Sequence, residues 1–394
     1  MHRPLRKLPA FSAIALVLLS IAACGQSAGK GPNARATQTP ANGLPLAWHA
    51  VTMPTQGAFA IAPGDGDIGY ACQVESARRI AVSATHDRAA TWTHVGVIAL
   101  ADANQCFMTV DGLQPTTVMV AVTWEPQGAS PITAFFTNYV TFDGGATWRK
   151  LSAPKPYLAF QFSTLQGVIY GYLRVANGEQ DIPELATSSD QMRTWHPILQ
   201  GIADVGGVGS TAFWLNPANG SLLVKDASVF WSSADAGAHW AKVLVPGLAA
   251  SGAQTVVQAP VASQASQPWH LCAANDDALN LKDMQPNTLT CSSDGGATWR
   301  QGPGLNVMFT SAKGNFVTPT SIFALADDGA ILATSSSPND PATEREYRLA
   351  QGGRTWQAFA SPPGRQSTIS YYPAPGGGVL WDGTYEGQFT ASYP

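Results

Sequence analysis

The sequence predicts an all-β fold, specifically a seven-bladed β-propeller, from three observations. A short segment of the form S/T-x-D-x-G-x-x-W recurs along the 394-residue chain, short strand-like runs separate its copies, and three further strand-like runs follow the last copy. Recurrence of one segment at a spacing of 20 to 50 residues or slightly more is typical of propellers and other repeat folds.

The recurring segments, called the repeated turns below, have the composition of β-hairpin turns. An aspartate can accept backbone N–H bonds inside the turn, a glycine supplies a positive φ, and the tryptophan begins the next strand and buries a large ring. The repeated turns span residues 85–92, 141–148, 188–195, 233–240, 292–299 and 349–356, and the last of them has lost the aspartate. The residues assigned to this structural role are Asp87, Asp143, Asp190, Asp235, Asp294, Trp92, Trp148, Trp195, Trp240, Trp299 and Trp356.

The number of blades follows from the spacing of these tryptophans. They are 45 to 59 residues apart, and each interval holds four strand-like runs, which is typical of propeller blades. Trp48 begins a similar short strand, but no repeated turn precedes it. Pairing this strand with the three C-terminal runs closes the ring and removes an exposed sheet edge. Six internal blades and one shared blade make seven.

The N-terminus predicts export. Residues 1–23 have a basic start, an apolar run and small residues at the end, which is the layout of a signal peptide. The ending "IAAC" resembles a bacterial lipobox, which implies lipidation at Cys24; the alternative is ordinary cleavage after Ala23 with Cys24 as a spare thiol. Residues 24–45 are predicted to be a flexible tether and residues 46–394 the propeller. The expected location is the bacterial cell envelope, on the outer side of the cytoplasmic membrane or at the outer membrane.

The charge of the chain argues against a nucleic-acid partner, and its cysteine content predicts disulfides. The formal charge of −4 becomes −7 when Arg3, Arg6 and Lys7 leave with the signal, and no basic stripe is visible, so nucleic-acid binding is not expected. Four cysteines remain besides Cys24, and an even number in an exported chain favours disulfides. The strand assignment pairs Cys272 with Cys291 within one blade and Cys72 with Cys106 across two blades.

Candidate binding residues follow from the connections between strands. The repeated turns lie on the same face as the short turns between first and second strands, whereas the opposite face carries the long connections, where binding is expected. Trp124, Tyr157, Asp276 and Asp277 fall on or near this face and could contact a sugar or a peptide, with an ordinary rim or core role as the alternative.

No metal, cofactor or hydrolase nucleophile is predicted. Asp65 and Asp67 resemble the start of a calcium loop, but the closing glutamate is missing, so a plain turn is favoured. The histidines show no pair at metal-ligand spacing, and there is no G-x-S-x-G segment.

The repeated turns resemble the Asp-box, or BNR, repeat of the sialidase superfamily. That resemblance implies a propeller and, in its enzymes, an arginine triad, a Tyr/Glu nucleophile pair and an aspartic acid. Arg79 is followed by Ile80 and Ala81 where those enzymes have R-I-P, and Arg149 and Arg300 follow repeated-turn tryptophans and so fall on outer strands. Tyr371 and Tyr372 come late in the chain, as the nucleophile would, without an identifiable glutamate.

The chain is also similar to the Asp-box propellers of the photosystem II stability factor family. That resemblance implies a seven-bladed binding platform, although the basic patch of that family is not evident in this sequence. The predicted function is therefore a lipid-anchored binding or scaffold propeller, a monomer whose partner is a cell-envelope protein or glycan and which contacts the membrane only through its lipid. The alternative is a glycoside hydrolase of sialidase type.

Overall fold

The described part of the protein consists of β-strands and the turns between them. The computed structural model describes residues 46–54, 58–76, 78–99, 105–124, 135–152, 157–177, 180–202, 213–226, 229–243, 245, 253–258, 270–275, 289–301, 309–310, 316–317, 319–326, 328–335, 345–353, 356–359, 369–374, 377–384 and 387–392. No helix occurs among these residues. The signal peptide, the tether and Cys24 lie outside them.

Seven four-stranded antiparallel sheets form the blades, numbered in chain order from the first complete one. Blade 1 comprises β2 (Ala58–Ala62), β3 (Asp65–Ser76), β4 (Arg79–Thr85) and β5 (Thr93–Ala99). Blade 2 comprises β6 (Gln105–Val110), β7 (Val118–Trp124), β8 (Phe135–Thr141) and β9 (Arg149–Lys150). Blade 3 comprises β10 (Tyr157–Leu165), β11 (Val168–Asn177), β12 (Gln180–Ser188) and β13 (His196–Gln200).

The remaining blades repeat this order of strands. Blade 4 comprises β14 (Phe213–Leu215), β15 (Leu222–Asp226), β16 (Val229–Ser233) and β17 (Ala241–Val243). Blade 5 comprises β18 (Ala253–Gln258), β19 (His270–Asn275), β20 (Leu289–Ser292) and β21 (Arg300–Gln301). Blade 6 comprises β24 (Pro319–Leu325), β25 (Ile331–Ser335), β26 (Arg345–Leu349) and β27 (Trp356–Phe359). Blade 7 comprises β28 (Ile369–Tyr372), β29 (Val379–Thr384), β30 (Gly387–Ser392) and β1 (Trp48–Val51).

Blade 7 closes the ring with strands from both ends of the described chain. Its sheet order is β1-β30-β29-β28, and β1 pairs antiparallel with β30 so that Trp48 lies opposite Ala391. The C-terminal run therefore supplies three strands and the N-terminal run supplies the outermost one. The predictions of an all-β fold, of seven blades and of this mode of closure are confirmed.

The central strands are buried on both faces because each blade packs between two others. In β7, Val118, Val120 and Val122 pack in one cluster with residues of blade 1, whereas Met119 packs in another with residues of blade 3. Successive residues of a strand point to opposite faces, so a strand covered on both sides needs apolar residues at every position. This requirement explains the continuous run "VMVAV" in place of alternating apolar and polar residues.

One element departs from the regular blade pattern. A two-stranded hairpin, β22 (Phe309–Thr310) and β23 (Phe316–Val317), lies in the sequence between the last strand of blade 5 and the first strand of blade 6. The spacing of the tryptophans does not predict it, since the interval across it is no longer than other intervals that hold only a blade.

Candidate functional site

The ring has two faces, which are defined by the connections between strands. The turn face carries the repeated turns, which join third to fourth strands, and the short turns that join first to second strands. The loop face carries the ends of β7, β19 and β25 at Trp124, Asn275 and Ser335. From these ends the chain continues into residues 125–134, 276–288 and 336–344, which lie outside the described residues.

On the turn face, each aspartate of a repeated turn accepts hydrogen bonds from its own turn. In the turn at 141–148, Asp143 Oδ1 accepts from the Thr147 backbone N–H at 2.9 Å and from Thr141 Oγ1 at 2.6 Å, while Oδ2 accepts from Thr147 Oγ1. The Thr141 hydroxyl in turn accepts from the Gly145 N–H at 2.9 Å. The same bonds recur in the turns at 85–92, 188–195 and 292–299. The turn at 233–240 repeats them except that Oδ2 of Asp235 bonds to Nδ1 of His239 in place of a threonine hydroxyl.

These hydrogen bonds keep the aspartates ionised. Donors that bind the charged form of a carboxyl group lower its pKa. Bonds from turn side chains, the Thr141, Thr194, His239 and Thr298 groups foremost, hold the pKa of four aspartates at about 2: Asp143, Asp190, Asp235 and Asp294. The carboxylates of these four aspartates are therefore charged at neutral pH, and both oxygens of each accept hydrogen bonds from the same turn.

The repeated turns also join neighbouring blades. A Cβ on Gly145 would lie 2.8 Å from Cγ2 of Val95, on the outer strand of blade 1, so this position requires glycine for close approach. The turn at 188–195 has Gln191 beside the corresponding strand, and Arg149 of blade 2 donates to its Oε1 at 2.7 Å and to its carbonyl oxygen at 2.5 Å. The sequence, the position and the contacts of these segments all indicate a structural role.

The fourth position of the repeated turn offers a matched test of backbone strain. Ala236 has φ 59° and Gly144 has φ 72°, a region that favours glycine. A Cβ on Gly144 would meet nothing nearer than Tyr70 Oη at 3.6 Å, so backbone conformation alone decides the effect. We expect Ala236→Gly to raise and Gly144→Ala to lower the free energy of unfolding by about 0.5–1 kcal/mol each, measured by urea denaturation. Changes of the same sign in both variants would contradict this explanation.

Asp111 forms a deeply buried polar link between two blades. It follows β6 of blade 2, and its Oδ1 accepts from the backbone N–H groups of Leu113 at 2.8 Å, Gln114 at 2.9 Å and Thr164 at 3.0 Å. Its Oδ2 accepts from the Thr164 hydroxyl of blade 3. The side chain is 1% exposed, and burial raises its pKa despite the four donors. The local sequence "VDGL" is typical of a turn, and nothing in it reveals the contact with Thr164.

Of the four predicted binding residues, only Tyr157 has a side chain within the described part of the structure. Trp124 is the last residue of β7 and pairs with Phe135 at the loop face; its side chain is outside the described part. Tyr157 is the first residue of β10 but is only 4% exposed, and its hydroxyl donates to the Met192 carbonyl oxygen at 3.3 Å. Burial raises the pKa of Tyr157 to about 12, and its environment is that of the core role which the sequence left open.

Asp276 and Asp277 lie outside the described residues, directly after the end of β19. Their role as contacts for a ligand remains a prediction.

The arginines considered for an enzymatic site belong to three different blades. Arg79 lies on the third strand of blade 1 and forms an exposed ion pair with Glu75 at 2.6 Å. Arg149 and Arg300 lie on the outer strands of blades 2 and 5, as expected. Because outer strands lie away from the ring axis, Arg149 and Arg300 do not share a site at the axis with Arg79. Tyr371 and Tyr372 lie on β28, the innermost strand of blade 7, where burial raises the pKa of Tyr372.

Asp65 and Asp67 form part of a turn held by protein groups. The Asp67 N–H donates to Asp65 Oδ1 at 3.1 Å, and Arg88 pairs with the Asp67 carboxylate at 2.6 Å. Within the described ranges, no group of three His, Cys, Asp or Glu side chains is arranged to hold a metal ion.

Both predicted cysteine pairs are disulfide-bonded. Cys72 of β3 is linked to Cys106 of β6 across blades 1 and 2, and Cys272 of β19 to Cys291 of β20 within blade 5. Disulfides indicate an oxidising, extracytoplasmic environment. In the part of the chain that the structure covers, no helix has the length and apolar character needed to cross a membrane.

The sheets and their closure define the molecule as a seven-bladed β-propeller. Among solved structures, the chain is similar to YCF48 bound to D1 peptide, with a TM-score of 0.50 and 12% identity over 89% of this chain and 96% of that chain. YCF48 from Cyanidioschyzon merolae gives a TM-score of 0.49 and 12% identity over 88% and 99% of the two chains. The GH74 xyloglucanase from Xanthomonas campestris gives 0.45 and 17%, over 80% of this chain and 47% of the enzyme.

At these identities the likeness shows the fold. No protein-family model matches the sequence, and no curated protein matches it.

Proposed function

We propose that this chain is an extracytoplasmic, lipid-anchored scaffold propeller that binds a cell-envelope protein or glycan through its loop face. The observation that carries this proposal is the contrast between the two faces. On the turn face, the described carboxylates accept bonds from their own turns and the glycines pack against neighbouring blades. On the loop face, the second strands of blades 2, 5 and 6 end, and long connections lead from them to the third strands. Long connections on a rigid scaffold commonly carry binding residues.

A protein partner has some support from the structural comparison. The YCF48 structure with a similar ring was solved bound to D1 peptide, so a propeller of this kind can carry a peptide ligand. For this chain, the connection 276–288 begins with Asp276 and Asp277 and follows a strand that a disulfide fixes to its neighbour. A rigid base of this kind reduces the ordering entropy that binding costs.

The proposed anchor is a lipid on Cys24. The motif "IAAC" precedes a polar tether that leads to β1, the outermost strand of blade 7. Each buried CH₂ of an acyl chain contributes about 0.8 kcal/mol, so two or more chains hold a protein stably at a membrane. The repeated turns, interpreted as Asp-boxes, then serve the stability of the ring.

Replacing residues 276–288 with a short Gly/Ser linker is expected to abolish capture of the envelope partner while the protein remains folded. The measurement is cross-linking in intact cells followed by affinity purification and mass spectrometry of the partner. Ala234→Arg and Ser293→Arg serve as matched controls, because both residues are exposed on repeated turns of the opposite face. Unchanged capture by the linker variant, or loss of capture in the two turn-face variants, would contradict the proposed use of the loop face.

Two further measurements distinguish membrane anchoring and catalysis from partner binding. Cys24→Ser should move the protein from the membrane fraction to the soluble fraction while the purified protein keeps its partner. Turnover of a fluorogenic sialoside by the purified wild-type protein would replace the scaffold function with the glycosidase alternative.

A further inference from the structure

Blade 4 places one lysine in an otherwise apolar interface. In β15, Leu222 and Val224 pack with residues of blade 3, whereas Leu223 packs with Phe230, Leu271 and Ala273 between blades 4 and 5. Lys225 is two residues after Leu223 and lies directly opposite Phe230 in the sheet. Because residues two apart on a strand share a face, Lys225 is directed at blade 5. It is partly buried there.

The other blades show what this position normally holds. Equivalent positions are found by counting from the second-strand residue that pairs with the first residue of the repeated turn. In blade 1 this residue is Gly69, which pairs with Thr85, and three residues later comes Cys72. Cys72 is bonded to Cys106 on the inner strand of the next blade. The same register in blade 4 gives Lys225, since Leu222 lies opposite Ser233. The equivalent residues in blades 2, 3, 5 and 6 are all uncharged: Ala121, Tyr172, Ala274 and Thr334.

Blade 5 offers this ammonium no counter-charge on its facing strands. Residues 236–275, which include β18 and β19, contain no aspartate or glutamate. His270 alternates with Leu271 on β19 and so is directed away from blade 4. Asp226 alternates with Lys225 and accepts from Trp231 Nε1 at 2.9 Å on the blade 3 side. Among the described residues, no carboxylate lies within ion-pair distance of Lys225.

A partly buried lysine without a counter-charge is driven towards its neutral form. Removing an ammonium from water disfavours the charged state, and burial lowers the pKa of Lys225 accordingly. A neutral amine has a free electron pair and is a nucleophile at a pH where exposed lysines are protonated.

We infer that Lys225 is a covalent modification site for activated acyl compounds such as reactive esters and thioesters. The nitrogen lone pair attacks the acyl carbon, and the C–N bond forms as the bond to the leaving group breaks. The leaving group departs with that electron pair, and the proton from nitrogen passes to water. This site lies near the β15–β16 connection at the loop face and does not depend on the proposed binding function.

The test is the pH dependence of acetylation by the N-hydroxysuccinimide ester of acetic acid, with Lys225 and exposed Lys150 quantified in one sample by peptide mass spectrometry. Each acetylation rate is normalised to its own plateau at high pH, so that the different accessibility of the two lysines to the reagent does not affect the comparison. We expect Lys225 to reach half its plateau at a lower pH than Lys150, because burial disfavours its charged form. Coincident curves, or no acetylation of Lys225 at any pH, would overturn the inference.

One condition and three variants distinguish a neutral amine from an amine that is merely accessible. In protein unfolded with urea, the two curves should coincide, because the interface is absent. Lys225→Arg should lower the melting temperature more than Lys225→Met, since arginine cannot lose its charge; equal or better tolerance of arginine counts against a neutral amine. The double variant Asp276→Asn, Asp277→Asn should leave the Lys225 curve unchanged, and a shift to lower pH would show that these carboxylates hold the lysine charged.

Discussion

Asp111→Ala is expected to lower the free energy of unfolding by about 3–5 kcal/mol, because it leaves four donors without their acceptor in a buried interface. Three are backbone N–H groups, of Leu113, Gln114 and Thr164, and the fourth is the Thr164 hydroxyl. The Gly112 N–H, which donates to the Phe162 carbonyl oxygen at 3.0 Å, belongs to the same link between blades 2 and 3. The loss should therefore weaken the contact between two blades as well as one turn.

Asp111→Asn is the matched variant, and it should retain most of this stability. All three backbone N–H groups bond to Oδ1, so the carbonyl oxygen of asparagine can accept all of them. Its NH₂ group then faces the Thr164 hydroxyl, which can accept as readily as it donates. Asparagine also removes a buried charge whose bonds all come from uncharged donors.

The two variants are compared by urea denaturation between pH 4 and pH 8. Burial raises the pKa of Asp111 in the folded protein, so its contribution to stability is present when it is protonated and is lost as the pH rises through the folded pKa. Asp111→Asn should accordingly gain stability relative to wild type as the pH increases. If asparagine destabilises the protein as much as alanine at pH 8, the interface requires the ionised carboxylate itself, and burial does not favour the neutral form of Asp111.

The architecture was predictable from the sequence because the repeated turn occurs six times along the chain. Six of the seven blades carry a copy of the repeated turn, and its tryptophan is kept in all six, so a change in one copy, such as the lost aspartate before Trp356, does not disturb the count. The disulfides followed from the same register, since the assignment of Cys72 to a second strand and Cys106 to the next first strand makes them neighbours. Closure followed from the need to pair an unpartnered edge.

The contacts between blades were not predictable in this way. Asp111 and Lys225 each lie in an ordinary local context, a turn and a strand end, and their importance arises from what the neighbouring blade presents to them. Tyr157 shows the opposite case: its place near the loop face left a ligand contact and a core role both open, and its ring packs edge-on against Trp195 with 5.7 Å between ring centres. The repeated turn predicts the strands of its own blade. The contacts between neighbouring blades depend on residues outside the repeated turn, and these differ from blade to blade.

Removal of the disulfide between Cys72 and Cys106, as Cys72→Ala with Cys106→Ala, is expected to lower the free energy of unfolding by about 3–4 kcal/mol. The two residues are 34 positions apart, and a loop of this length restricts the unfolded chain substantially in the chain-entropy model. The pair also joins two blades, because Cys72 and Cys106 belong to the cluster that fills the interface of blades 1 and 2. Thermal and urea denaturation of the double variant measure the loss.

The pair Cys272 and Cys291 is the internal control for this explanation. Its separation of 19 residues predicts a slightly smaller effect of about 3 kcal/mol, and its two strands are already adjacent in one sheet. Cys72 and Cys106 are both buried, whereas Cys291 is only partly buried, so a mild reductant should open the bond in blade 5 first. Mass spectrometry after timed alkylation gives the order of opening. A bond between Cys72 and Cys106 that opens first, or a double variant of wild-type stability, would show that this disulfide does not hold blades 1 and 2 together.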